Sequence, residues 1–213
     1  GNLEIDSDLA SRISDKSEEI IVANKKMTSM NYTDNTFELQ LPFIRYLSDD
    51  IKIVPIATGT RSFEKIHSAA GELAGLLKEY FSPDPSKYIA IVASTDLTHY
   101  GPNFNFMPAR GQSARDQNNW VRSNDKRVLE MIKNLENTAT EDILKESLEK
   151  RNLCCPGAII LALDTIKLLV EKGIFNTLTV DLLQQATSFD VEPRGSSGSF
   201  FSAVGYASMA FRK

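Results

Sequence analysis

Asp96 and His99 stand three apart in the run Thr95-Asp96-Leu97-Thr98-His99-Tyr100-Gly101, and His99 is one of only two histidines in 213 residues. An imidazole titrates near neutral pH and can move a proton, while a carboxylate three residues away can orient it or help hold a metal. The same residues also suit plain structure, with Asp96 capping the next turn and His99 filling a polar corner. Cys154 is the second candidate. It precedes Cys155-Pro156-Gly157 at the start of an apolar run. A thiol beside a helix N-terminus is drawn toward the thiolate, and so toward nucleophile or metal-ligand chemistry. Taken alone, it reads better as a small buried apolar residue. Asn35 and Glu38, three apart, share one face of an expected helix and could line a pocket, but from local sequence alone an N-cap role for Asn35 is the better reading. His67, three residues after Glu64 in a helical stretch, is assigned no role.

The element that must carry Asp96 and His99 is the apolar run Tyr88-Ile89-Ala90-Ile91-Val92-Ala93-Ser94. Such a run suits a central strand of a parallel sheet covered on both faces, and the carboxyl ends of such strands are where ligands gather. Upstream, Asp6 to Ser14 is expected as a short helix and Glu19 to Ala23 as a strand. Asn35 to Leu47 has helical spacing at Phe37, Leu41 and Ile44, with Pro42 marking a first turn or a kink. Ile51 to Ala57 is β-rich, and its Pro55 favours an edge position or strand end. Ser62 to Phe81 is a long amphipathic helix, capped by Ser62 and stopped by Ser82-Pro83-Asp84-Pro85.

Downstream, Gly101 to Arg115 reads as a loop too long for mere connection. Helices are expected over Asn124 to Leu135, Thr140 to Lys150 and Pro156 to Lys172, the last ended by Gly173. Leu178 to Gln185 and Phe200 to Phe211 read as closing strands, with a Gly/Ser-rich loop over Glu192 to Ser199. The alternation favours a single α/β domain over residues 1–213, with no internal repeat and no linker.

Composition bounds the function. Hydrophobic residues make up 42% and charged residues 24%, ordinary for a globular chain able to bury a core. The net charge of -4, with no lysine and arginine block, argues against nucleic acid as a partner. The longest apolar segment, Gly157 to Val170, is broken by Asp164 and Lys167 and is too short to span a bilayer, so no membrane partner is expected. No signal peptide is visible at the start. Cys154 and Cys155 are adjacent and could bridge only through a strained ring, which points to free thiols and a cytoplasmic setting. Gly-x-Ser-x-Gly, Cys-x-x-Cys and His-Glu-x-x-His signatures are missing, as is a dinucleotide fingerprint. Ser196-Ser197-Gly198-Ser199 lacks the strand, lysine and helix of a phosphate loop.

Four segments taken in order resemble the Memo family, known in bacteria and archaea as AmmeMemoRadiSam system protein B. They are Glu38-Leu-Gln-Leu-Pro-Phe43 with Ile53-Val-Pro-Ile56, then Ser94-Thr-Asp-Leu-Thr-His-Tyr-Gly101, then Cys154-Cys-Pro-Gly-Ala-Ile159. Last come Ala186-Thr-Ser-Phe-Asp-Val191 and Val204-Gly-Tyr-Ala-Ser208. The resemblance implies a fold similar to class III extradiol dioxygenases, with a mixed, mainly parallel sheet flanked by helices. It also implies a pocket in which two histidines and a cysteine stand like the iron ligands of those enzymes, with a further histidine as acid/base. On that likeness Cys154 takes the cysteine place and His99 the acid/base place, with Asp96 beside it.

Two departures stand out. Asn35 occupies the place of a family histidine, and the other ligand histidine belongs to a His-Ala-Gly segment upstream of Gly1. Cys154 alone is left of the three ligands, and an amide oxygen replaces imidazole poorly toward a transition metal. The first reading is therefore a Memo-like binding or adaptor module with a remodelled, metal-poor pocket for a peptide or small molecule. The alternative is a metal-dependent oxidoreductase using iron or copper, with His99 as acid/base and Cys154 as ligand. A chain lacking the family's N-terminal segment would expose a sheet edge, which predicts a homo-oligomer or cover by the missing segment.

Overall fold

The structure, a computed structural model, describes residues 3–16, 21–22, 35–48, 50–81, 89–175, 178–191 and 201–212. In chain order β1 (Glu4–Ile5), α1 (Ser7–Lys16), β2 (Ile21–Val22), α2 (Asn35–Glu38), α3 (Leu41–Leu47), β3 (Lys52–Ile53), β4 (Ile56–Ala57) and α4 (Phe63–Phe81) come first. They are followed by β5 (His99–Tyr100), α5 (Ala114–Lys133), α6 (Thr140–Lys150) and α7 (Pro156–Glu171). The order closes with β6 (Thr179–Thr187), α8 (Ser188–Val191) and β7 (Ala203–Arg212). The architecture is mixed α/β. The chain divides into two compact units, one of residues 1–94 and 157–174 and the other of residues 95–156 and 175–213.

In the first unit, α1 begins where Asp6 Oδ1 accepts from the Leu9 N–H at 3.0 Å, a side-chain cap that satisfies an otherwise orphaned donor. Leu9, Ala10 and Ile13 form its buried stripe, which packs on α4. Helix α4 starts after Ser62, whose Oγ accepts from the Lys65 N–H at 3.4 Å. It buries Ile66, Ala70, Leu73 and Leu77 at helical spacing. Each buried leucine there contributes about 2 kcal/mol of transfer free energy. Helix α7 hides four consecutive residues, Ile160 to Leu163, and is thus buried nearly all round. The expected helix over Asn35 to Leu47 is split into α2 and α3, and Pro42 falls in the first turn of α3, where its missing N–H costs nothing.

In the second unit, β5, β7 and β6 form a three-stranded antiparallel sheet in that order. His99 faces Val204 and Tyr100 faces Ala203 across β5 and β7. The longer β6–β7 pairing runs from Thr179 opposite Arg212 to Thr187 opposite Gly205, with an irregularity between Leu182 and Gln184. Helix α5 covers this sheet and packs on α6. Its start is fixed by Ser113, whose Oγ accepts from the Asp116 N–H at 3.2 Å. The helix therefore begins at Ala114, ten residues before the expected Asn124, and the long loop expected after Gly101 is shorter than its composition suggests. Tyr100, Ala109, Val121, Phe201 and Ala203 make one core cluster of this unit, with Trp120 and Phe189 packed against it.

Two expectations about the sheet need correction. Among the described residues one pairing is parallel, β1 with β3, and the other three are antiparallel, so the ladders are not mainly parallel. The apolar run from Tyr88 to Ser94 is not a described buried strand. Tyr88 lies outside the described residues, 89–94 carry no assigned ladder, and Val92 is 63% exposed. Pairing starts only at Leu97, whose N–H donates to Gly205 O at 3.0 Å, because β7 supplies its partner backbone from that point. Apolar composition gives a run the capacity to be a central strand, but neighbouring backbone must complete it. The expected strand near Glu19 is described only as Ile21–Val22, and the loop from Glu192 to Ser199 lies outside the described residues.

Candidate functional site

The turn from Thr95 to Tyr100 gathers the chemistry of the second unit. Leu97, Thr98 and Tyr100 are buried and anchor it, while His99 and Asp96 keep side chains that are 26% and 39% exposed. His99 Nε2 lies 3.0 Å from Asp96 Oδ2, so the spacing in sequence is a real contact in space. The Phe104 ring tilts against the imidazole with centroids 4.7 Å apart. Phe104 is presented by the 3₁₀ turn Pro102–Phe104, which follows Gly101 at φ +137°. A Cβ on Gly101 would come within 2.5 Å of Ser202 Oγ, so both the backbone angle and the space require glycine. Arg151 holds the far side of this turn, donating to Phe104 O at 3.0 Å and Asn105 O at 3.3 Å.

Beneath the turn lies a buried polar network. Asp125 is fully buried on α5, and its Oδ1 accepts from the Thr98 N–H at 2.9 Å. Burial pushes the Asp125 carboxyl up to about 6, against the opposing pull of the Thr98 hydrogen bonds and the Arg122 charge. Its Oδ2 has no hydrogen-bond partner among the described residues. Asn124 Nδ2 donates to Thr98 Oγ1 and to Lys150 O, each at 3.0 Å, and Asn152 Nδ2 donates to Asn124 O at 3.0 Å. The sequence reading missed these residues. The signal was there: Asn124 and Asp125 interrupt the apolar face that Val121, Val128 and Leu129 set out on α5.

The cysteine segment meets the same turn through its backbone. The Cys154 N–H donates to Asp96 O at 2.9 Å, and the Cys155 N–H donates to Thr95 Oγ1 at 3.1 Å. Both cysteines are exposed, neither is in a disulfide, and their Sγ atoms are 3.9 Å apart. Tyr206, overlooked in the sequence, belongs to this neighbourhood. Burial raises its phenol above the ordinary range, and the Asp96 charge raises it further.

The remaining candidates lie elsewhere in the chain. Asn35 and Glu38 bound α2 in the first unit, Glu38 is half-buried, and the Asn35 side chain is outside the described residues. His67, also in the first unit, sets Nδ1 2.7 Å from Asp164 Oδ2, a buried carboxylate on α7. Among the described residues no three His, Cys, Asp or Glu side chains gather closely enough to hold a metal ion. The described donors thus do not by themselves fit iron or copper. What the arrangement offers is an imidazole oriented by a carboxylate, an aromatic wall and a two-cysteine segment joined to the same turn by its backbone.

A family model described as Memo-like protein matches residues 1–210. A MEMO1 family protein of Thermococcus onnurineus is 30% identical over 217 residues, covering 100% of this chain and 67% of its own length. Another from Pyrococcus furiosus is 31% identical over 218 residues, again covering 100% of this chain and 66% of its own. A third, from Methanothermobacter thermautotrophicus, is 25% identical over 214 residues, with 99% and 62% covered. The chain thus spans about two thirds of the length of these relatives. No helix among the described residues is long and apolar enough to cross a membrane.

Proposed function

Because the chain belongs to the Memo family, we propose that it is a binding or adaptor module whose polar contact group is His99, oriented by Asp96, in a remodelled pocket. The observation that carries this reading is the 3.0 Å contact of His99 Nε2 with Asp96 Oδ2, made by two side chains that both still reach solvent. A carboxylate on one ring nitrogen fixes the ring and favours the tautomer with the proton there. Nδ1 is then an acceptor for a ligand amide or hydroxyl. Phe104 gives an apolar wall for the rest of a peptide or small molecule. A pocket role for Cys154 belongs to this proposal, as do separate binding roles for Asn35 and Glu38 within the first unit, the dioxygenase-like architecture and one domain over residues 1–213. Unbridged Cys154 and Cys155 support cytoplasmic residence. Exposed Phe43, Tyr46 and Leu47 on α3 support self-association or cover by a further segment.

The second reading, a metal-dependent oxidoreductase, is favoured by the same contact, since a carboxylate-oriented imidazole is also the arrangement of a general base. Two measurements separate them. Protein purified without chelator is analysed for iron and copper, and is screened against short synthetic peptides by fluorescence polarisation. The binding reading expects peptides whose affinity falls about tenfold or more in His99→Ala and Asp96→Asn, the loss of about one hydrogen bond. Stoichiometric metal that disappears in Cys154→Ser, with no such peptide, overturns it in favour of the enzyme.

A further inference from the structure

Adjacent side chains normally diverge, to opposite faces in a strand and around the axis in a helix. Cys154 and Cys155 do not: the chain bends over residues 153–155 and brings their Sγ atoms to 3.9 Å, both on the exposed surface. Two hydrogen bonds hold the bend, from the Cys154 N–H to Asp96 O and from the Cys155 N–H to Thr95 Oγ1. We propose that Cys154 and Cys155 form a redox-modification site, a dithiol that low-molecular-weight disulfides oxidise to a vicinal disulfide, and that this bridge re-aims the Asp96–His99 pair. The proposal does not depend on what the His99 pocket binds.

The chemistry balances with oxidised glutathione as the co-reactant. One cysteine thiolate attacks a glutathione sulfur, the glutathione S–S bond breaks, and one glutathione thiolate leaves. The neighbouring cysteine thiolate then attacks the protein sulfur of the mixed disulfide and expels the second glutathione thiolate. Two protein thiols are oxidised, one glutathione disulfide is reduced to two thiols, and the two cysteine protons end on those thiols. The second step is intramolecular and its reacting sulfurs start 3.9 Å apart, which speeds ring closure over capture by a further thiol. Neighbouring Cα atoms sit about 3.8 Å apart, below the usual disulfide range, so the bridge is strained and easily reduced, as a regulatory disulfide must be.

Closing from 3.9 Å to the bonded distance of about 2.05 Å turns the peptide that joins the two cysteines. That peptide's N–H is the Cys155 donor to Thr95, and the preceding one is the Cys154 donor to Asp96. Asp96 in turn orients His99. The sulfur pair is therefore two hydrogen bonds from the imidazole, all within the second unit.

The test equilibrates the full 213-residue chain in glutathione buffers of graded redox ratio, alkylates it, and reads intact mass. Loss of both alkylatable thiols together, with no retained glutathione and full recovery in dithiothreitol, is expected. The Cys155→Ser variant should instead retain one glutathione. Imidazole ¹H–¹⁵N spectra read the transmission, because the chain has only two histidines: the His99 signal should shift on oxidation while that of His67 stays. Stable glutathione adducts on the parent protein, disulfide-linked dimers, or thiols that stay reactive in oxidised glutathione overturn the site. A bridge that forms without moving the His99 signal overturns the coupling.

Discussion

Asp125 Oδ2 sits where a Cβ on Gly205 would come within 1.9 Å of it, so the carboxylate of α5 and the backbone of β7 share a space that only glycine leaves open. The other oxygen of that carboxylate accepts from the Thr98 N–H, next to His99. Gly205 completes the link, since its N–H donates to Thr98 O at 2.9 Å and its carbonyl accepts from the Leu97 N–H at 3.0 Å. A buried acid, a glycine and three successive peptide units thus set the position of the Asp96–His99 turn.

Gly205→Ala is expected to destabilise the protein by about 1–3 kcal/mol, the cost of forcing a methyl into filled space. Denaturant midpoints measure it. Asp125→Ala opens the space, so in that background Gly205→Ala should cost clearly less than it does alone. Strictly additive losses would show that the two residues do not compete for the same volume.

Asp125 also gives stability a definite pH dependence. Its carboxyl titrates at about 6 in the folded chain, raised chiefly by burial, against an ordinary 3.8. The folded state therefore binds this proton more tightly than the unfolded state. The stabilisation is complete below the unfolded value and is lost as pH rises through about 6, amounting to about 3 kcal/mol across the window. Asp125→Asn keeps an acceptor for Thr98 and cannot ionise, so its stability should fall less than the parent's over the same range. Urea unfolding at a series of pH values gives both curves, and parallel curves would rule out Asp125 as the titrating group.

Arg151 combines a backbone cost with contacts that brace the Phe104 turn. It closes α6 in the left-handed region at φ 55°, and its guanidinium lies 4.4 Å over the Phe106 ring while bonding the Phe104 and Asn105 carbonyls. Arg151→Ala loses the contacts and keeps the strained angle. Arg151→Gly loses the same contacts but relieves the angle, and should be the more stable variant by about 1 kcal/mol. In both, the Asn105 N–H, which donates to Pro102 O at 3.1 Å, should exchange faster with solvent. Equal stability of the two variants would mean that the left-handed angle carries no cost here.

The sequence made some of this legible and hid the rest for physical reasons. Helix starts were readable where a short polar residue precedes a stretch with apolar periodicity, as at Asp6 and Ser62. The start of α5 was not, because its first turns, Ala114 to Gln117, are polar and carry no apolar periodicity. The Asp96–His99 contact could be read from spacing, since residues three apart in a tight turn meet without help from the rest of the fold. The meeting of Cys154 with Asp96 is nonlocal and was carried by family likeness alone. Asp125 was invisible because a charged residue inside a helix reads as solvated until the sheet is laid over it. The run at 89–94 misled for the opposite reason, since apolar composition cannot say whether a neighbouring strand is there to pair.

Tyr100 tests whether packing or hydrogen bonding holds the strand that carries His99. Its hydroxyl donates to Gln117 Oε1 at 2.9 Å, and its ring packs at 5.8 Å from Trp120 and 5.5 Å from Phe201. Tyr100→Phe removes the hydroxyl's ordinary hydrogen bonding and keeps the ring, a loss of about 1 kcal/mol. Tyr100→Ala removes the ring from a fully buried site and should cost about 3–5 kcal/mol through lost transfer energy and the cavity left behind. Thermal and denaturant unfolding compare the two, and near-ultraviolet circular dichroism reports the aromatic cluster. If packing dominates, the phenylalanine variant keeps the parent spectrum and the unshifted His99 imidazole signal, while the alanine variant loses both. A phenylalanine variant as damaged as the alanine one would move the anchoring of β5 from the aromatic core to the hydrogen bonding of the Tyr100 hydroxyl.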